Sequence, residues 1–167
     1  MHVDDGTAAF TDLIAAVKAA VKAANTHATF DRLLRVSELT LIVAITTKRS
    51  GGAGLQLRVP VVGTKLGGKY THSRSDSQRV EIVLVPPPDD EFEVRGGTVE
   101  DTLLEAIRTV QATLAAAAAG DDPFLLQTST VSLDFVVTDA GSVELIGSGA
   151  LEDQAVHTVK LKLSAAG

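Results

Sequence analysis

Apolar residues recur along this chain in two rhythms, every three to four positions in two stretches and every second position in several others. In the first stretch Phe10, Leu13, Ile14, Val17 and Val21 fall on one stripe, predicting a helix over about Ala8 to Asn25. Leu103, Leu104, Ile107, Val110 and Leu114 make a second stripe, predicting a helix over about Val99 to Ala119. Each is followed by a polar connection, Thr26 to Thr29 and Gly120 to Pro123, and then by a phenylalanine with paired leucines: Phe30, Leu33 and Leu34, then Phe124, Leu125 and Leu126. Beyond these the period drops to two, as in strands with one buried face: Leu39, Leu41, Val43 and Ile45, then Val131, Leu133, Phe135 and Val137. Glycine-bearing turns at Arg49 to Gly54 and Asp139 to Ser142 lead to second strands at Leu55 to Val61 and Val143 to Ile146. Val80, Ile82 and Leu84, and Val159, Leu161 and Leu163, mark the last strands.

The two series run parallel. Leu13, Ile14 and Val17 precede Leu103, Leu104 and Ile107 by 90 positions, and the strand offsets are 92, 88 and 79. Each change of offset falls in a loop, where deletions are tolerated. The pattern predicts an α+β fold of two tandem αβββ modules. Each would be a three-stranded antiparallel sheet with one packed helix, and the pair would be related by a pseudo-two-fold. Residues 1–85 form the first module, 86–97 a linker opened by Pro86-Pro87-Pro88 and closed by Gly96-Gly97, and 98–167 the second. Thr98 and its neighbours are placed to cap the second helix, with Glu100, Asp101 and Glu105 at the positive end of its dipole. Modules of this size bury a limited share of their surface and gain from packing on one another.

Charge divides the halves. Residues 1–88 hold 11 Lys+Arg and 7 Asp+Glu, a net +4, whereas residues 89–167 hold 4 and 14, a net −10. Such asymmetry favours attraction between halves or between chains. The absence of cysteine removes disulfides, thiolate zinc sites and a cysteine nucleophile. The acidic start, Met1-His2-Val3-Asp4-Asp5-Gly6, differs from a secretory signal, and the Ala115 to Ala119 run is far shorter than the roughly 20 residues that span a bilayer. A cytoplasmic protein is expected.

The leucine-rich helix ending in alanines, then Val131-Ser132-Leu133-Asp134-Phe135-Val136-Val137, then Val156-His157-Thr158-Val159-Lys160-Leu161-Lys162-Leu163, resembles the trypsin-co-occurring domain family, second type. The resemblance spans about residues 98–165 and, more faintly, about 8–85, where Gln78 stands at the position of His157. It implies a small bacterial module of one helix and three strands with no established active site. It further implies a non-catalytic partner of a larger effector, a trypsin-like protease in particular, in a conflict or signalling system.

Candidate chemistry is sparse. Gly63-Thr64-Lys65-Leu66-Gly67-Gly68-Lys69-Tyr70 spells most of a phosphate-binding loop, but Tyr70 stands where Ser or Thr would hold magnesium, and no helical pattern follows. The same region gathers Lys65, Lys69, Tyr70, His72, Arg74 and Arg79, a basic loop with one ring suited to an acidic protein surface. Net acidity and 4% aromatics count against nucleic acid. His2, His27, His72 and His157 lack metal spacing, and no serine sits in G-x-S-x-G. His157, opening the last strand, reads as an ordinary half-exposed histidine. No cofactor and no catalysis are expected. The leading expectation is a non-enzymatic interaction or assembly module. A self-assembling structural protein and a nucleotide or small-ligand binder through Gly63 to Tyr70 are the alternatives.

Overall fold

The computed structural model describes residues 1–4, 6–28, 34–50, 54–63, 78–86, 101–118, 128–146 and 156–165. Among them are two helices, α1 (Phe10–Ala28) and α2 (Asp101–Ala118). Eight strands accompany them: β1 (Val3–Asp4), β2 (Thr7–Ala9), β3 (Leu34–Ser50), β4 (Gly54–Pro60), β5 (Gln78–Leu84), β6 (Thr128–Val137), β7 (Val143–Leu145) and β8 (His157–Ala165). The class is α+β. The strands pair in the order β1-β2-β4-β3-β8-β6-β7, with β5 also paired to β3. β3 thus pairs with β4 and β5, and β6 with β7 and β8, while β3 and β8 pair as well.

The helices sit where the stripes place them. Leu13, Val17 and Val21 of α1 and Leu103 and Ile107 of α2 are buried, each such side chain contributing about 1.5–3 kcal/mol relative to exposure. Helix α1 runs three residues past the expected Asn25. An asparagine usually breaks a helix by bonding its own backbone. Here its amide is engaged elsewhere: Asn25 Nδ2 donates to the Val36 carbonyl at 3.0 Å and Oδ1 accepts from the Val36 amide at 2.9 Å. The polar residue that marked the helix end instead holds the first residues of β3.

Two short strands went unanticipated. β1 and β2 pair antiparallel with Asp4 opposite Thr7 and Gly6 at φ 71° between them. β2 then pairs with the far end of β4, Thr7 opposite Pro60 and Ala9 opposite Arg58. Arg58 fixes this register, Nε donating to Thr7 Oγ1 at 3.0 Å and Nη2 to the Thr7 carbonyl at 3.1 Å.

By contacts the chain divides into two compact units, and neither coincides with a half of the sequence. One comprises Met1–Ala15, Leu41–Ile82 and Leu133–Val159. Its core includes Ala8, Phe10, Leu13, Leu41, Val43, Ile45, Val59, Val62, Phe135, Val136 and Val143. Within it Val62 forms a parallel bridge with Thr138, its amide donating to the Val137 carbonyl at 2.8 Å. The other comprises Ala16–Thr40, Val83–Ser132 and Lys160–Gly167. Its core includes Val17, Ala20, Val21, Ala24, Val36, Leu39, Leu103, Ile107, Leu161 and Leu163. Within it the Ser37 hydroxyl meets Ser164 Oγ at 3.0 Å and the Lys162 carbonyl at 3.2 Å. Of the linker only Pro86 is described, so the caps at Thr98 and the Gly96-Gly97 pair lie outside the described residues. No described helix is long and apolar enough to cross a membrane.

Candidate functional site

Of the six residues of the basic loop, Lys65, Lys69, Tyr70, His72 and Arg74 lie outside the described residues, as does Gly63 to Tyr70 beyond Gly63 itself. Arg79 is described. It sits exposed on β5, and its Nη1 donates to the Val156 carbonyl at 3.5 Å.

That contact leads to His157, where the structure corrects the sequence reading. The ring is fully buried rather than half exposed. It opens β8 beside Phe135 of β6, ring centroids 5.4 Å apart and tilted by 51°. Nδ1 accepts the Ala44 amide of β3 at 3.2 Å, which places the proton on Nε2, an atom without a hydrogen-bond partner. Burial lowers the pKa from 6.5 to about 3. The Pro60 carbonyl pulls the other way, and the Arg79 charge adds to the lowering. A neutral ring sealed from solvent and anchored at Nδ1 by a backbone amide is a packing element. It has no path to shuttle protons or ligate a metal. Among the described residues no group of three His, Cys, Asp or Glu is arranged to hold a metal ion.

The feature that stands out chemically is the tip of the β3–β4 hairpin. Leu55, Leu57 and Val59 alternate along one face of β4. Only Val59 is buried: its exposure is 0%, against 42% for Leu57 and 61% for Leu55. The register explains this. β3 and β4 remain paired from Thr46 opposite Arg58 to Ser50 opposite Gly54, whereas β2 reaches only Pro60, Val59 and Arg58. Over Gly54 to Leu57 the outer edge of β4 therefore has no strand partner among the described residues, and its leucines face water. An unpaired row of peptide groups flanked by apolar side chains is a template for another strand. Sequence reasoning located this strand without assigning its leucines to core or surface. The signal it passed over was the length of β3: 17 residues, about three times a usual strand, outlasts the core that buries its middle.

The family model of trypsin-co-occurring domain 2 matches residues 8–86. The match falls on the first stretch, the one that read as the fainter resemblance. No curated protein and no solved structure matches the chain at significance.

Proposed function

We propose that this chain, whose residues 8–86 match the family model of trypsin-co-occurring domain 2, is a non-enzymatic interaction module that docks a larger effector through the open edge of β4. The effector class is a trypsin-like protease of a bacterial conflict or signalling system, in the cytoplasm. The observation carrying this reading is the Leu55 and Leu57 pair, exposed on a strand whose outer edge has no strand partner among the described residues from Gly54 to Leu57. A partner segment added there gains main-chain hydrogen bonds from the edge and side-chain burial from the leucines. Acting as an adaptor asks no catalysis of the chain.

The test is molar mass by light scattering for the purified chain mixed with the trypsin-like protease encoded nearest to its gene. A complex is expected, and it should be absent for Leu55→Lys/Leu57→Lys, since charges on an edge strand block strand addition, while circular dichroism stays that of the parent. A mixture showing only the separate masses overturns the reading. Self-assembly is the second reading, favoured by the +4 and −10 halves; it takes over where the chain alone forms oligomers that high salt dissolves.

The chain is also proposed to be a tandem duplication. Its support is the shared order helix, strand, strand, strand, with β3 paired to β4 and β5 as β6 is to β7 and β8. Residues 98–167 made separately would then show a mixed helix and strand spectrum, alone or on mixing with residues 1–97. A coil spectrum in both cases sinks the duplication.

A further inference from the structure

The open edge of β4 also has a sign. From Leu39 to Ser75 the chain holds six basic residues, Lys48, Arg49, Arg58, Lys65, Lys69 and Arg74, and no Asp or Glu, although the whole chain carries −6. The β3–β4 arm lies inside this acid-free run. Its register sorts the arm into two faces, because residues directly opposite on paired strands share a side of the sheet. Leu55 and Leu57 share one face, and Arg49 stands opposite Leu55. Gln56 and Arg58 share the other, and Lys48 stands opposite Gln56. Arg58 gives hydrogen bonds to Thr7 Oγ1 and to the Thr7 carbonyl, two neutral oxygens that leave its positive charge uncompensated. Of the strands paired with β4, β2 carries no charge, and β3 carries its one acid, Glu38, eight positions before the paired stretch begins at Thr46. Asp4 of β1 stands opposite Thr7, which stands opposite Pro60, at the covered end of β4 rather than the open one.

These two faces define what the edge accepts. A strand added along Gly54 to Leu57 sends alternate side chains to opposite sides of the sheet. On one side they meet the exposed Leu55 and Leu57, where aliphatic groups are covered best. On the other they meet the exposed Gln56 and the charge of Arg58, where carboxylates are favoured. A phosphate backbone would answer the charge but leave the leucines in water. We propose that the segment docking on β4 is an acidic strand in which carboxylate and aliphatic residues alternate, its aliphatics over Leu55 and Leu57 and its carboxylates on the side of Gln56 and Arg58. This rests on the docking reading of the same edge and adds the chemistry of the segment that the edge takes. The acid-free run makes the choice selective, since a basic strand of the same apolar pattern brings like charge against like.

The full chain, labelled for amide NMR, is titrated at low salt with a blocked peptide alternating Glu with Val, and with its Lys and Ser counterparts. The Glu peptide is expected to shift the amides of Gly54 to Leu57 saturably and to bind about 10-fold more tightly than the Ser peptide, as a few exposed ion pairs allow. The Lys peptide should bind more weakly than either, and high salt should draw the three together. Lys48→Glu/Gln56→Glu should invert the order, while Gln56→Lys, a change at an exposed position, should tighten the Glu peptide about 2-fold. Circular dichroism should be that of the parent in both. A Ser peptide that binds these amides as tightly as the Glu peptide overturns the proposal, and docking on β4 then stands without a choice of charge. Peptides that all leave these amides unmoved overturn docking and charge choice together. An order of affinities unchanged by the double substitution also overturns it, as does oligothymidylate displacing the Glu peptide from the same amides, which would make the edge a nucleic-acid site.

Discussion

The β3–β4 and β6–β7 hairpins follow a helix each and both use a glycine at positive φ, 75° at Gly54 and 79° at Gly141, yet they end differently. The second is closed. Thr138 donates its amide to the Ser142 carbonyl at 2.8 Å, Gly141 donates to the Thr138 carbonyl at 2.9 Å, and the two hydroxyls of Thr138 and Ser142 meet at 2.7 Å. The Met1 ammonium seals the turn by donating to the Gly141 carbonyl at 3.0 Å. Beside the turn Phe135, Val136, Val137 and Val143 are buried, and exposure returns on β7 only beyond them, at Glu144 and Leu145. The first hairpin keeps five paired positions, Thr46–Ser50 against Gly54–Arg58, but carries Leu55 and Leu57 out of the core. Similar local sequence grammar therefore yields a packed corner or a reaching arm. What decides is how far the strands outrun the residues that cover them.

The contrast breaks most readily in the core. Phe135→Ala should remove about 4 kcal/mol of stability by leaving a cavity, whereas Leu57→Ala should change it by no more than about 0.5 kcal/mol, as a surface position does. Urea unfolding measures both, and equal losses would mean that the arm is packed after all. The glycines sharpen the comparison next. A Cβ at Gly141 would stand 2.0 Å from the Met1 carbonyl oxygen, while one at Gly54 meets nothing within 4 Å. Gly54→Ala should cost about 1 kcal/mol for the left-handed backbone alone, and Gly141→Ala about 3 kcal/mol with the clash added. Equal costs would show that the N-terminal residue simply moves aside.

A smaller and graded effect comes from His157, which packs on Phe135 beneath the closed hairpin. Above pH 6.5 the ring is neutral folded or unfolded and adds no pH dependence. Between 6.5 and about 3 the unfolded chain binds a proton that the buried ring refuses, so stability falls as pH falls, by about 1.4 kcal/mol per pH unit from this group. His157→Phe should remove that share of the slope in urea midpoints taken from pH 7 to pH 4. A slope unchanged by the substitution would assign the acid limb to carboxylates instead.

Much of the fold was legible because its long elements carry strong periodicity. The stripes of α1 and α2 and the alternation Leu39, Leu41, Val43 and Ile45 are found buried or half-buried where the pattern put them. β1 and β2 were not, being two and three residues long, too short for any period to register. Their only signal was Asp5-Gly6, the dipeptide that favours tight hairpins. Burial at His157 was hidden for a different reason. Its neighbours Phe135, Ala44 and Pro60 lie 22, 113 and 97 positions away in the chain, and one-dimensional pattern holds no information about such partners. The exposed leucines of β4 escaped for the same cause. Alternation reports which side chains share a face, and only the pairing of β2 reveals where the cover stops.

The union of β3 with β8 sets a timetable for the making of this protein. Ala44 is separated from the His157 ring that it bonds by 113 residues, so at ordinary rates of synthesis the earlier strand emerges roughly ten seconds before the later one. Throughout that interval a long apolar strand waits without its permanent neighbour. Chains growing side by side on one messenger would each present the same vacant place and, some distance behind, the same matching strand. An exchange of β8 between neighbouring nascent chains is thus a built-in hazard of the topology, and chaperones at the ribosome exit would be its natural safeguard.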